Sequence, residues 1–219
     1  MSLEETDGHG WTWVRTGRGP LTEAELDDWY AVPPGRSDGP WVRGGFVTTL
    51  DGRAAGPDGR SGSLNEGSDG DGAAFSTLRR WAQAVVVGAG TARAEGYAPL
   101  EGAILVVVTR SGDVPDRLAE HPDVLVVSGE GEDVTPQRVL HTCAWHGWDR
   151  VVVEGGPALF GAWVAAGLVD ELCVTVRPVL AGGDGPSLVP GGTTLPGLTG
   201  RLTHLLEWEG DLLVRTLLR

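Results

Sequence analysis

AQAVVVGAGTARAEGY, residues 82–97, is the stretch on which the fold turns. Ala84 to Val87 are apolar without a break, too few for an interior helix and without the alternation of a half-exposed strand. Such a run reads as a strand buried on both faces. Gly88-Ala89-Gly90-Thr91-Ala92-Arg93 follows at once. Glycines at a strand end let the backbone turn tightly or approach a phosphate, and the amides of a helix start attract the anion. The stretch is not a full G-x-G-x-x-G, because Arg93 stands where the last glycine belongs. Alone it leaves two readings open, a tight strand-to-helix turn or an anion cradle.

The pattern repeats outward. Ala103 to Thr109, Val124 to Val127 and Val151 to Glu154 are further short apolar strands, and Trp41 to Leu50 and Leu172 to Val179 are longer ones. Between them lie helical spacings. Asp71 to Gln83 carries Ala74, Phe75, Leu78, Trp81 and Ala82 on one stripe, Thr135 caps a helix opened by Pro136, and Pro157 starts one that Gly167 ends. Near the start, Trp11, Trp13 and Val14 suggest a short strand, and Thr22 caps a helix from Leu21 to Tyr30 that Pro33-Pro34-Gly35 ends. Residues 57–70 and 181–200 read as loops. His204 to Trp208 and Leu212 to Leu217 flank a Glu-Gly-Asp turn, which predicts an antiparallel hairpin. The expected fold is α/β, a mostly parallel central sheet with helices on both faces and a C-terminal antiparallel hairpin. One domain over 1–219 is expected, with 1–40 an N-terminal extension packed on it.

Composition excludes several functions. A net charge of −13 without a basic run argues against nucleic acid. No apolar run approaches the roughly 18 residues of a membrane span, and the cytoplasm is the expected location. Cys143 and Cys173 read as core thiols rather than a disulfide framework. His141, Cys143 and His146 do not share a helix face, so no metal site is expected.

In open α/β sheets ligands bind beyond the carboxyl ends of the strands. Arg110-Ser111 follows a strand about 20 residues beyond Gly90, where an acidic residue would hold a ribose diol and an arginine a 2′-phosphate. The alternative is a solvated arginine. Glu154-Gly155-Gly156-Pro157 is a second glycine turn at a helix start, either anion cradle or plain punctuation. In FVTTLDGRAAGPDGRSG, residues 46–62, Asp51 ends a strand and either faces ligand or fixes a turn, and Asp58-Gly59 reads as a loop turn.

VRGGFVTTLDG (42–52), FSTLRR (75–80), VVVGAGTARAEGY (85–97), VVVEGGPALFGAWVAAGLVDEL (151–172) and VRPVLAGG (176–183) occur together and in order. In this combination the chain resembles the riboflavin-biosynthesis pyrimidine reductase domain, of dihydrofolate-reductase-like fold, as a stand-alone actinobacterial-type member. The resemblance implies NADPH-dependent reduction of a phosphorylated ribosylaminopyrimidine to its ribitylamino form, with hydride to C1′ of the ring-opened imine and a proton to nitrogen. It places Asp51 and Glu154 in catalytic, substrate-orienting roles and Thr49, Ser61, Ser63 and Arg79 at the substrate, Arg79 on its phosphate. It places Thr48, Gly88, Gly90, Thr91, Glu95, Arg110, Ser111, Gly155, Gly156, Pro157, Ala158 and Leu159 at the cofactor. It further implies a cis Gly155–Gly156 peptide and a homodimer, with Leu172 to Val179 or the C-terminal hairpin as its surface. The proton is expected from Asp51, Glu95 or Glu154. Gly45 stands where such domains carry Lys or Asn, and a second substrate-side arginine is missing near Ala98 to Leu100. Reduction of another carbonyl, imine or pterin-like compound, or silent nucleotide binding, therefore remains an alternative.

Overall fold

The structure is a computed structural model that describes residues 14–33, 39–56, 58, 60–195 and 197–218. Trp11, Trp13, Pro34-Gly35 and Gly59 lie outside them. In chain order the elements are β1 (Arg15–Arg18), α1 (Glu23–Trp29), β2 (Trp41–Thr49), α2 (Gly62–Asn65), α3 (Asp69–Trp81), β3 (Ala84–Gly88), α4 (Ala89–Ala94), β4 (Ile104–Thr109) and α5 (Asp116–Ala119). β5 (Val124–Ser128), α6 (Pro136–Trp145), β6 (Arg150–Gly155), α7 (Pro157–Ala165), β7 (Glu171–Arg177), β8 (Arg201–Trp208) and β9 (Asp211–Leu217) complete them.

Local chemistry sets the boundaries. Thr22 and Glu25 form a reciprocal capping box on α1, and the Thr135 hydroxyl accepts from Arg138 N at the Pro-started α6. α3 starts two residues earlier than the apolar stripe predicts, because the Ser68 hydroxyl accepts from Asp71 N and draws Asp69 and Gly70 into the first turn. β7 stops at Arg177 rather than Val179, since Pro178 has no N–H for the ladder. The loop expected at 57–70 contains the one-turn α2. The segment 181–200 holds no named element and touches the sheet side through the Arg53–Ser187 bridge.

Among the described residues, nine strands form one sheet in the order β1-β8-β9-β7-β2-β6-β3-β4-β5. Strands β7, β2, β6, β3, β4 and β5 are mutually parallel, and β9 pairs antiparallel with both β7 and β8. The C-terminal hairpin thus extends the sheet, and β1 pairs parallel with β8 at the edge. β7 and both hairpin strands have partners on each side, so none offers a free edge. Apolar runs buried on both faces divide into two cores. Val85, Val87, Leu105 and Val152 pack beneath α1, α3, α4 and α5, whereas Val86, Val106, Val151 and Val153 pack beneath α6 and α7.

The segment before β2 is fastened by polar contacts. Arg215 Nη1 donates to the Trp29 carbonyl at 2.9 Å, and Arg43 Nη2 donates to the Tyr30 carbonyl. His204, 2% exposed, places Nδ1 3.1 Å from that same Trp29 oxygen, which only accepts, so Nδ1 carries the hydrogen. Burial, then the Arg215 charge, holds the His204 pKa down to about 3. The unfolded chain takes up a proton below about pH 6.5 that the folded chain refuses. Stability should therefore fall on acidification at about 1.4 kcal/mol per pH unit from this group. His204→Leu should flatten that slope in urea titrations between about pH 7 and about pH 4. An unchanged slope would show that His204 titrates freely.

Candidate active site

Because β2, β6, β3 and β4 are parallel, the turns that follow them gather at one end of the sheet. Two cavities lie there. One of about 300 Å³ is lined by Gly45, Phe46, Val47, Ser61, Asn65, Asp71, Phe75, Gly90, Thr91, Glu95, Tyr97, Glu154, Gly156 and Pro157, among others. The other, of about 750 Å³, is lined by Gly88, Gly90, Arg93, Arg110, Ser111, Asp113, Asp133, Ala158 and Leu159, with neighbours on α6 and α7. Gly90 belongs to both walls, so the two spaces adjoin.

The sequence-predicted residues therefore divide. Ser61, Thr91, Glu95, Glu154, Gly156 and Pro157 meet in the smaller cavity, and Gly88, Arg110, Ser111, Ala158 and Leu159 in the larger. Thr48, Thr49, Asp51, Ser63, Arg79 and Gly155 do not form cavity wall. Asp51 is occupied otherwise. Its Oδ1 accepts from the Thr49 hydroxyl at 2.6 Å and from Ala181 N at 3.1 Å, and its Oδ2 accepts from Gly182 N at 2.7 Å. These donors, Thr49 first, hold its pKa down to about 2. Asp51 thereby clips the β2 turn to the chain after β7. Ser63 donates to Asp58 Oδ1 at 2.6 Å within its own loop.

Glu154 is the centre of the smaller cavity's polar side. Its side chain is fully buried, and its two oxygens accept from Arg79 Nε at 2.8 Å and Arg79 Nη2 at 2.7 Å. The Tyr97 hydroxyl donates to Oε2 at 2.8 Å. The Arg79 guanidinium lies over the Phe75 ring at 4.4 Å. A bidentate fork fixes both position and plane of the carboxylate. Burial, then the Glu154 charge, raises the Tyr97 pKa well above its ordinary value, so the phenol remains a donor. Glu95 faces the same space but receives Ser61 N at 2.8 Å and Gly62 N at 3.4 Å, so it pins the start of α2 beside the cavity.

Sequence reasoning missed three polar wall residues. Tyr97 closes a motif that was legible, but its partner is 57 positions away. Asn65 has a buried side-chain oxygen with no partner among the described residues. Asp71 is 4% exposed on α3. A signal existed for Asp71: with Ala74, Phe75 and Leu78 it keeps the spacing of the buried stripe, where a charge is out of place.

The larger cavity fits a dinucleotide. α7 begins at Gly156 without a side-chain cap, leaving the first-turn amides of Ala158 and Leu159 toward the cavity. The Gly155–Gly156 peptide is cis, as expected, and a Cβ on Gly156 would stand 2.5 Å from Thr91 Oγ1. Backbone approach is thus close where side chains would obstruct it. At the far end, among the described residues, Arg110 and Arg93 pair with exposed carboxylates, Asp133 at 3.7 Å and Asp113 at 2.8 Å. Exposed pairs of this kind give way to a phosphate at little cost.

Comparison with known proteins agrees with this arrangement. The riboflavin biosynthesis protein RibD of Mycobacterium tuberculosis is 29% identical over 188 residues, covering 78% of this chain and 50% of its own length. The chain therefore spans about half the length of the curated relatives it matches. A pyrimidine reductase-like protein from Corynebacterium diphtheriae superposes with a TM-score of 0.73 at 21% identity, over 91% of this chain and all of that one. Dihydrofolate reductase from Enterococcus faecalis superposes at 0.51 and 18% identity, over 81% of this chain and 93% of that one. The fold is thus dihydrofolate-reductase-like. The RibD C-terminal domain family matches residues 40–214, from the strand that floors the smaller cavity to the last strand of the sheet, and the chain belongs to that family.

Proposed function

We propose that this chain is an NADPH-dependent reductase of 5-amino-6-(5-phosphoribosylamino)uracil in riboflavin biosynthesis. The observation that carries the reading is the pair of adjoining cavities sharing Gly90, the larger beside Arg110 and the start of α7 and the smaller walled by Glu154, Tyr97 and Asp71. When bound, the cofactor supplies the hydride. Gly88, Gly90 and Gly156, with Pro157, Ala158, Leu159 and Thr91, would hold its pyrophosphate and nicotinamide side, and Arg110 with Ser111 its 2′-phosphate. Glu154, set by Arg79 and Tyr97, orients the heterocycle by accepting its N–H groups. Glu95 holds the Ser61 loop over the site, and Thr49, Asp51 and Ser63 act through the turns they fix. Proximity of the two cavities supplies most of the rate.

NADPH oxidation dependent on that aminouracil tests the reading. Cofactor binding without turnover of it would favour the silent or altered-substrate alternative. Arg110→Ala should weaken NADPH by about 10-fold or more, the value of a charge-assisted phosphate contact, and leave NADH nearly unchanged. Equal losses for both in equilibrium titrations would remove the 2′-phosphate assignment.

We propose a homodimer on the exposed patch of Leu50, Val179 and Leu180, which adjoin through the Leu50 N to Val179 O bond. A monomer in sedimentation at high concentration would refute it. A cytoplasmic setting is supported by two buried, unpaired cysteines, Cys143 and Cys173. Among the described residues no helix is long and apolar enough to cross a membrane. Recovery of the protein in a non-cytosolic fraction would overturn that placement.

A further inference from the structure

Reduction of an imine needs a proton as well as a hydride, and the three carboxyls expected to supply it are committed elsewhere. Asp51 lies outside the cavity and accepts three donors. Glu95 accepts two backbone amides. Glu154 accepts the Arg79 fork and the Tyr97 hydroxyl, which also directs the Tyr97 proton away from any ligand. The remaining carboxyl on the cavity wall is Asp71.

Asp71 differs from the others in its surroundings. It sits in the first turn of α3 and is 4% exposed, yet no ion pair reaches it among the described residues. The Thr175 hydroxyl on β7 is near enough to favour its charged form. Behind it, Asp211 of β9 accepts from the Ser68 hydroxyl and pairs with Arg177 of β7 at 2.9 Å. In front lie Glu95, Glu154 and Tyr97 across the cavity. Arg177 is thus claimed by Asp211, whose carboxylate disfavours a further negative charge at Asp71. Burial first, and then Asp211, raises the Asp71 pKa, while Thr175 and Arg177 oppose them.

We propose that Asp71 is the general acid that protonates the acceptor nitrogen. The inference rests on the reductase reading above. In the step, the Asp71 O–H bond breaks and an N–H bond forms, while the C=N double bond becomes single. One hydride from the dihydronicotinamide, whose oxidation accounts for both electrons, and one proton from Asp71 complete the reduction. Asp71 is left as carboxylate and regains its proton from solvent. The acid form is required, so turnover falls as pH rises through the pKa of Asp71.

Two variants and one spectroscopic titration test it. Asp71→Asn keeps the volume and should lower kcat about 100-fold or more with a much smaller change in KM, and should abolish the alkaline limb of kcat. An unchanged NADPH-induced rise in Tm shows that the variant is folded and binds cofactor. Thr175→Val removes a donor that favours the carboxylate, so the limb should move to higher pH. In the ligand-free protein, carbon-13 NMR of labelled aspartate should show one carboxyl, missing in Asp71→Asn, titrating above the ordinary value of about 3.9. A variant Asp71→Asn that keeps kcat or the limb, or an Asp71 that titrates at the ordinary value, overturns the proposal. A wild-type protein that oxidises no NADPH with the aminouracil overturns the reductase reading instead, while the NMR titration still decides whether Asp71 holds its proton.

Discussion

Glu171→Leu is expected to destabilise the protein by about 3–5 kcal/mol, the range for breaking a buried ion pair from one side. Glu171 opens β7 with a fully buried side chain. Its Oε1 lies 2.7 Å from Arg43 Nε, and its Oε2 lies 2.7 Å from Arg215 Nη2 and accepts from Trp41 Nε1 at 3.1 Å. Burial, opposed by the Glu171 charge, already lowers the Arg43 pKa. Without Glu171, two guanidinium ions would stay in the interior facing a methyl group. The loss reaches beyond the sheet, because both arginines also donate to the carbonyls of Trp29, Tyr30 and Ala31 and so hold the chain after α1 in place. Urea midpoints measure it. Glu171→Gln, which keeps the acceptor oxygen, should lose less. A Glu171→Leu midpoint within error of wild type would show that this cluster contributes nothing net.

Arg79→Ala is expected to reduce both stability and turnover. The Glu154 side chain is fully buried while that of Arg79 is 32% exposed, so the loss should fall near the low end of the buried-pair range, about 3 kcal/mol. On the reductase reading proposed above, Glu154 would orient the heterocycle with Tyr97 as its one remaining donor among the described residues, and misplacement on the order of 1 Å lowers rates about 100-fold. Had Arg79 instead served the substrate phosphate, stability would stay near wild type and only KM for the phosphorylated pyrimidine would rise. Denaturation and steady-state kinetics on the same variant separate the two.

The sequence was legible where information is local. Short runs of four to seven residues predicted β3 to β6 within a residue or two, and the caps at Thr22 and Thr135 and the opening Pro157 predicted their helices. The strand-end glycines and Arg110 predicted which loops would gather, since parallel strands send their carboxyl ends to one side. It was silent on the partners of charges. Arg43 and Glu171 are 128 positions apart and drew no reading, and Arg79 and Glu154, 75 apart, were each placed at the substrate with no sign that they pair.

By itself, then, the chain determined a two-faced parallel sheet extended by an antiparallel pair, and the strand ends at which ligands would be met. Hydrophobic period and backbone chemistry act over a few residues, and they are written in consecutive positions. Only the tertiary structure decided that Asp51 fastens a turn, that Arg79 is matched by Glu154, and that Asp71 lies on the cavity wall with no ion pair among the described residues. A charge in sequence carries no mark of its burial. What it does follows from the dielectric and the donors around it, and distant strands supply both.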